Sequence, residues 1–510
     1  MPQGSPELEQ LSMETVAMMR KAATAGVLVS TGVAGVDLSR FTALVPVNVP
    51  ARNNTMAFPR VIAGEGAPVA YWETWLNQNS SQYSAAVGAD YAGSMTLFQA
   101  QNVYAPYRPL AKAGRVTLDA VSFARNYVDA LAQAEMQTLN QLFIAQDMNI
   151  PNSQGWALQP MGTVSLAAST TGGSIGASVT VYVRVAARSG ANYFEGGSGP
   201  ASTEVSVAVS AGTTNSVVAT WAAVKAAVAY DVYVGSASGA EYYYTTTTVG
   251  SVTITSIPSS GTSNALPSLA LLSTLRPGSG VAPLAQPPVA GNGTPPTVDT
   301  SYSSSYYNGV IASTLGDYGA LGPVTPGTGT PSGGLFIDNG GNAPALSGGG
   351  IDILDKINDQ IWASVQLSPT AYMINSAQAD QISQAILTSG SSTTFLPPTD
   401  ADARTNLAGG GYIGRYINRA AGGVAVQLEV HPRVAPGTII ARTDRVPFPA
   451  SGIGTVFEVR CQYDTMRFDY ASNFNPGVAG GGPRYDFEIR SMETLVNRAP
   501  LAQCIVSNIG

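Results

Sequence analysis

The sequence predicts an α+β chain, a mixed body of helices and strands interrupted by an all-β insert. Residues 117–144, TLDAVSFARNYVDALAQAEMQTLNQLFI, contain neither Gly nor Pro and repeat apolar positions three and four apart, the pattern of a long amphipathic helix. Residues 163–257 shift abruptly to Val, Thr, Ser, Ala and Tyr with period-two alternation, which reads as strands. From Gly333 onward, helical and strand-like segments alternate as they do in a mixed α/β layer.

At the start, residues 5–24 form an amphipathic helix on pattern, with Ser5 as N-cap, Pro6 in the first position and Glu7 and Glu9 in the first turn. Met18 and Met19 extend its apolar stripe. They are candidates for an adaptable contact with a partner, with a plain packing stripe as the simpler reading. Residues 26–36 are small and fit a flexible arm. Strand-like runs at 42–49, 55–62 and 93–99 then frame a long hairpin whose polar middle contains Trp72, Trp75, Tyr83 and Tyr91. Two tryptophans among Asn, Gln, Ser and Ala have no local core, so they are expected to bury against another subunit; packing on their own hairpin is the alternative.

The helix at 117–144 presents Val121, Ala124, Val128, Leu131, Ala132, Leu139 and Leu142 on one face and should stop before Pro151. Glu135 lies on the same face and needs a partner or an edge. Six short strands follow at 178–186, 202–209, 216–221, 229–234, 241–247 and 251–257, spaced as in a β-sandwich. Trp221 and the run from Tyr230 to Tyr233 make Trp221, Tyr230 and Val232 candidates for the core of an immunoglobulin-like or fibronectin type III-like sandwich. Residues 267–331 are rich in Pro, Gly, Ser and Thr and read as linker. Helices at 351–364 and 377–387 flank a buried strand at 370–375. Strands follow at 425–430, 438–441, 455–463 and 485–495, the last two joined by a glycine-rich loop at 471–483.

Composition narrows the function. Charged residues make up 11% of the 510, well under half the ~25% of ordinary soluble domains, so other surfaces must cover this protein. The formal charge of -7 and the absence of a Lys/Arg cluster argue against a clamp on nucleic acid. The lysines are Lys21, Lys112, Lys225 and Lys356; the remaining positive charge is arginine, which suits bidentate pairs at protein interfaces. Cys461 and Cys504 read as buried free thiols. Residues 1–10 lack the pattern of a secretory signal, and no run approaches the ~20 apolar residues of a membrane span, so neither secretion by signal peptide nor membrane insertion is expected.

His431 is the single histidine, which removes every site that needs two and makes a structural role the simpler reading. Asp400 and Asp402, close to Arg404, fit a solvated turn. The glycine runs at 348–350, 409–411 and 480–482 do not link a strand to a helix as a phosphate-cradling loop does. No catalytic, cofactor or metal site is expected, and the chain does not read as an enzyme.

Three segments carry a family resemblance: MTLFQAQNVYAPYRPL at 95–110, IDILDKINDQI at 351–361 with PTAYMINSAQADQI at 369–382, and YDFEIRSMETLVNRAPLAQCIVSNI at 485–509. With the order of elements, they resemble the major capsid proteins of tailed bacteriophages, of Hong Kong 97 type. The last is the most specific, a strand, an alanine-proline step and a short apolar strand. The resemblance implies an N-terminal helix and arm (1–40), an extended-loop hairpin (41–97), a peripheral domain with spine helix (98–160), the inserted sandwich (161–270), a linker (271–332), an axial domain with returning strands (333–455), a peripheral hairpin (456–494) and a C-terminal axial strand (495–510). It further implies self-assembly into pentamers and hexamers, a separate scaffolding protein, a portal, packaged double-stranded DNA and a place in the virion after assembly in the host cytoplasm. The insert would project outward, with a host-surface glycan as candidate ligand.

Some relatives cross-link a lysine of the extended loop to an asparagine of the peripheral hairpin. Asn473 and Asn475 are available here, but no lysine lies between Lys21 and Lys112, so no such link is expected. A tail-associated or virion-surface protein whose sandwich binds glycan is the alternative function, although no internal repeat of the fibre kind is present.

Overall fold

The computed structural model describes residues 58–62, 68–77, 99–124, 129–153, 161–195, 201–210, 212–258, 307–315, 317–319, 322–324, 334–347, 349–388, 414–446, 455–470 and 484–510. The helix expected at 5–24 and the arm lie outside them, as do most of the expected linker and the glycine-rich loop.

The chain begins with β1 (Arg60–Ile62), β2 (Val69–Asn77), β3 (Gln99–Pro106) and β4 (Arg108–Thr117), then helices α1 (Leu118–Ala124) and α2 (Ala130–Asn152). The β region follows with β5 (Ser165–Ser169), β6 (Thr180–Arg188), a short helix α3 (Gly190–Glu195), β7 (Val205–Ala208), β8 (Ser216–Thr220), β9 (Ala229–Gly235), β10 (Tyr242–Thr247) and β11 (Ser251–Ile254). Beyond it come α4 (Val310–Leu315), the small pair β12 (Asp317–Gly319) and β13 (Gly322–Val324), then β14 (Leu335–Asp338) and a second small pair, β15 (Leu346–Ser347) with β16 (Gly350–Ile351). The last part runs α5 (Asp352–Val365), β17 (Ala371–Ile374), α6 (Ser376–Thr388), β18 (Arg415–Asn418), β19 (Val424–Val430), β20 (Ile439–Arg442), β21 (Phe457–Tyr470), β22 (Arg484–Asn497), a 3-10 turn at Pro500–Ala502 and β23 (Cys504–Ser507).

The chain divides into two compact units. The smaller comprises residues Met1–Asn53, Pro109–Asp147 and Cys461–Glu493. Its described part lays β4, β22 and β21 side by side. Val116, Ala130, Leu142, Phe487 and Ile489 form its core, with Leu139 and Val121 packed around them. The helix expected over 117–144 is two helices. Asp129 stands at the break, and its Oδ1 accepts the N–H groups of Leu131 and Ala132 (both 3.1 Å), capping α2. The helix also continues to Asn152, with Pro151 one residue before its end, where few backbone bonds remain to lose.

The larger unit comprises Asn54–Arg108, Met148–Arg460 and Thr494–Gly510. Its centre is a six-stranded sheet in the order β14-β23-β20-β17-β19-β18. The inner strands β17 and β20 are buried along their whole length, and apart from Arg442 they are apolar, as central strands are. Helix α5 buries Ile353, Leu354, Ile357, Ile361 and Val365 at helical spacing and places Asp352 and Asp355 at its positive N-terminal end. It closes on Gln366 in the left-handed region (φ +57), whose N–H donates to Trp362 C=O (3.0 Å).

The β region belongs to this unit as two antiparallel sheets, β10-β9-β6-β7 and β11-β8-β5. Of its strands, β5 was not foreseen; its SLAAS sequence is too small and polar to show alternation. The turn after β10 meets the chain's last residues. Gly250 N–H donates to Asn508 Oδ1 (2.5 Å), Asn508 Nδ2 donates to Asp338 Oδ1 (2.8 Å), and Asn508 takes the left-handed conformation (φ +61) that asparagine tolerates.

Candidate functional site

The candidate sites are surfaces and the residues that hold them. The first is the ribbon of β2 and β3, paired from Val69 with Pro106 to Asn77 with Gln99. Strand alternation turns Ala70, Trp72 and Thr74 inward and leaves Tyr71 63% exposed. Trp72 Nε1 donates to Asn497 C=O (3.2 Å), as does Thr74 Oγ1 (3.4 Å), and the Arg460 guanidinium donates to Tyr71 C=O. Glu458 receives Arg460 (2.8 Å) and Arg498 (3.1 Å). Burial alone would raise the Glu458 carboxyl, but the two guanidinium groups outweigh it and hold it below the ordinary range.

This corrects one expectation. Trp72 does not offer its ring to another subunit: it is 5% exposed in its own chain, because its indole N–H has a main-chain acceptor at Asn497. Trp75 pairs with Ala100 in the ladder, and its side chain lies outside the described residues. Tyr83, Tyr91, Met18, Met19, Asn473 and Asn475 lie outside them altogether.

Beside β1 is an open cleft of about 520 Å³ lined by Phe58, Thr370, Arg442, Arg445 and Thr455, among others. Phe58 stacks on Phe457 (5.2 Å, 11°), and the Arg442 guanidinium lies over the Phe58 ring (5.1 Å) while bound to Asp444 (2.8 Å) and Glu429 (3.4 Å). That guanidinium is spent on neighbours, so Arg442 brings the cleft a cation-stacked ring more than free charge. Among the described residues no three His, Cys, Asp or Glu side chains come together as metal ligands. His431 is buried, and its Nδ1 accepts the N–H of Arg433 (3.1 Å).

In the smaller unit, Glu135 finds its partner in Arg467 (2.6 Å), whose guanidinium also covers the Phe487 ring (5.4 Å). Arg115 and Arg484 both reach Asp486 (2.7 and 2.8 Å). Gln146 donates to Ser491 (2.9 Å) and Glu493 (3.1 Å) under cover of the helix. Large apolar side chains nevertheless stay outside: Phe123 is 60% and Met136 66% exposed, with Leu118, Met466, Phe468 and Tyr485 also at the surface. In the larger unit Val61, Ile62, Tyr71, Trp362 and three residues of β18 and β19 do the same. Among the described residues of the β region, none of the large apolar side chains is exposed.

Within that region Trp221, Tyr230 and Val232 are all buried, and Trp221 meets Tyr230 edge to face (5.5 Å, 66°), joining the two sheets. Tyr230 Oη accepts the N–H of Val224 (2.9 Å), and burial pushes the phenol up to about 12. On the other face of β9, Asp231 pairs with Arg188 (2.6 Å) and accepts Thr246 Oγ1 (2.5 Å). Sequence patterning singled out none of this polar cluster, because its members are scattered over three strands.

No protein-family model and no curated protein matches the sequence. Solved structures do match. The chain is similar to the capsid of a native GTA particle, at 8% identity over 91% of this chain and 92% of that one, with a TM-score of 0.40. It is similar to the capsid of Cyanophage A-1(L), at 7% identity over 91% and 95%, with a TM-score of 0.42. It is also similar to the capsid of Cyanophage P-SCSP1u, at 7% identity over 88% and 86%, with a TM-score of 0.36.

Proposed function

We propose that this chain is a major capsid subunit of Hong Kong 97 type, which assembles through pentamers and hexamers into an icosahedral shell around double-stranded DNA. The observation that carries the reading is the C-terminal segment. Its strand, alanine-proline step and apolar strand, the most specific part of the sequence resemblance, fold as β22 between β21 and β4, the turn at Pro500–Ala502, and β23 within the six-stranded sheet. The distribution of exposed apolar groups agrees with it. Phe123, Met136, Ile62 and Tyr71 lie on the elements that a coat subunit would use against its neighbours, and exposed apolar surface of this kind marks interaction sites. Closed symmetry then makes many modest contacts cooperative.

In this reading residues 161–270 form an immunoglobulin-like decoration that projects from the shell, with a host glycan as candidate ligand, and its wetted surface suits that place. A scaffolding protein, a portal and packaged DNA would be the other partners, and the virion the final location. Electron microscopy of the purified protein tests the proposal. Icosahedral shells or capsomers are expected; trimeric rods, or small discrete particles at every concentration, would overturn it.

A further inference from the structure

The β region contains two carboxyls served by one guanidinium. Arg184 on β6 places Nη2 3.5 Å from Glu204 and Nε 3.4 Å from Glu241. Glu204, just before β7, also accepts Ser238 Oγ and the Gly239 N–H (both 2.8 Å), so it grips the turn between β9 and β10. That turn is tight. Gly239 is left-handed (φ +72), and a Cβ on Gly235 would stand 2.5 Å from Ala240 C=O. Glu241, the residue that ends the turn, is fully buried, and neither of its oxygens has a hydrogen-bond donor.

The surrounding groups cannot supply more charge. Arg188 on β6 and Asp231 on β9 are consumed by each other, with Thr246 on β10 as third member. Tyr233 on β9 lies across from Arg184, and its ring meets that of Tyr243 on β10. Two carboxylates beside a single cation, one of them fully buried, are unfavourable, so the buried carboxyl must keep its proton. Glu241 is the one: burial, then its hydrogen bond to Glu204, pushes it up to about 7. Glu204 is held down to about 2, first by that same bond and against its own burial, then by Gly239, Ser238 and Arg184.

We propose that Glu204, Glu241 and Arg184 form a proton-operated latch, in which one proton held by the buried Glu241 keeps the β9–β10 turn clasped and its loss puts a second negative charge beside Glu204 and releases the turn. The latch stands independently of the shell-forming function. Its sign follows from linkage. The folded turn retains a proton on Glu241 that the unfolded chain loses above 4.5, so the stability it contributes is present below that pH and drains away as pH rises towards about 7. Glu204 acts oppositely, losing its contribution as pH falls from 4.5 towards about 2.

Hydrogen exchange of the full chain, corrected for intrinsic rates and read on residues 235–241, tests this at pH 5 and pH 8. Protection should fall about tenfold or more at the higher pH, a factor that one pKa unit of linkage suffices to give. Glu241→Gln retains a donor for Glu204 without the charge and should abolish the pH response. Should that variant fail to fold, Glu204→Gln decides with the same readout, since Glu241 would then face Arg184 alone. Equal protection of the wild type at both pH values, or a wild-type response in whichever variant folds, would overturn the latch.

Discussion

Asn497 ties four parts of the chain together. Its carbonyl receives Trp72 and Thr74, its Nδ2 donates to Ser313 Oγ (3.3 Å), and its Oδ1 accepts the N–H of Ala499 (3.2 Å) at the alanine-proline step. A ribbon tryptophan is thus part of the subunit's own core. Trp72→Phe keeps a ring in place and loses one hydrogen bond, which Thr74 partly covers, so it should cost about 1 kcal/mol in urea unfolding. Trp72→Ala also opens a cavity and should cost about 3–5 kcal/mol. Equal losses in the two variants would show that ring burial contributes nothing. Little of this was legible beforehand. The sequence shows a large ring beside a polar run, and the acceptor that resolves it is 425 residues away. Trp221 with Tyr230 was legible, since both lie within ten residues and in a period-two frame.

At the scale of elements, patterning located the segments better than their breaks. The apolar period of 117–144 continues across Asp129, so it conceals a helix end that only the cap reveals. Strand β4 was missed because RPLAKAGRVT alternates small residues with Lys and Arg, whose stems do not register as an apolar face. The smaller unit then separates two roles on the same helices. Leu142 is fully buried, and Leu142→Ala should cost about 2–5 kcal/mol of subunit stability. Phe123 and Met136 pack largely against solvent, so Phe123→Ser with Met136→Ser should move unfolding by no more than about 0.5 kcal/mol per site. The same double variant should lower shell yield severalfold by quantitative microscopy. Unchanged yield at unchanged stability would remove these side chains from the assembly surface.

For the whole molecule, the question is what holds copies together once they meet. Cys461 and Cys504 are both buried and outside any disulfide, and burial pushes Cys504 up to about 12, so Cys504 offers no reactive thiolate and Cys461 no exposed sulfur for a bridge between subunits. A lysine-asparagine link needs an ε-amine in the extended loop, and the chain has none between Lys21 and Lys112. Lys112 itself is in β4. The shell would therefore depend on packing and on arginine-carboxylate pairs, which denaturant reverses. Assembled particles taken into denaturing electrophoresis without boiling or reductant should run as a single monomer band, the same as boiled and reduced samples. A ladder of multiples that survives boiling would reveal a covalent link made by other residues, and a ladder that collapses with reductant would show that one of the two thiols becomes accessible during assembly.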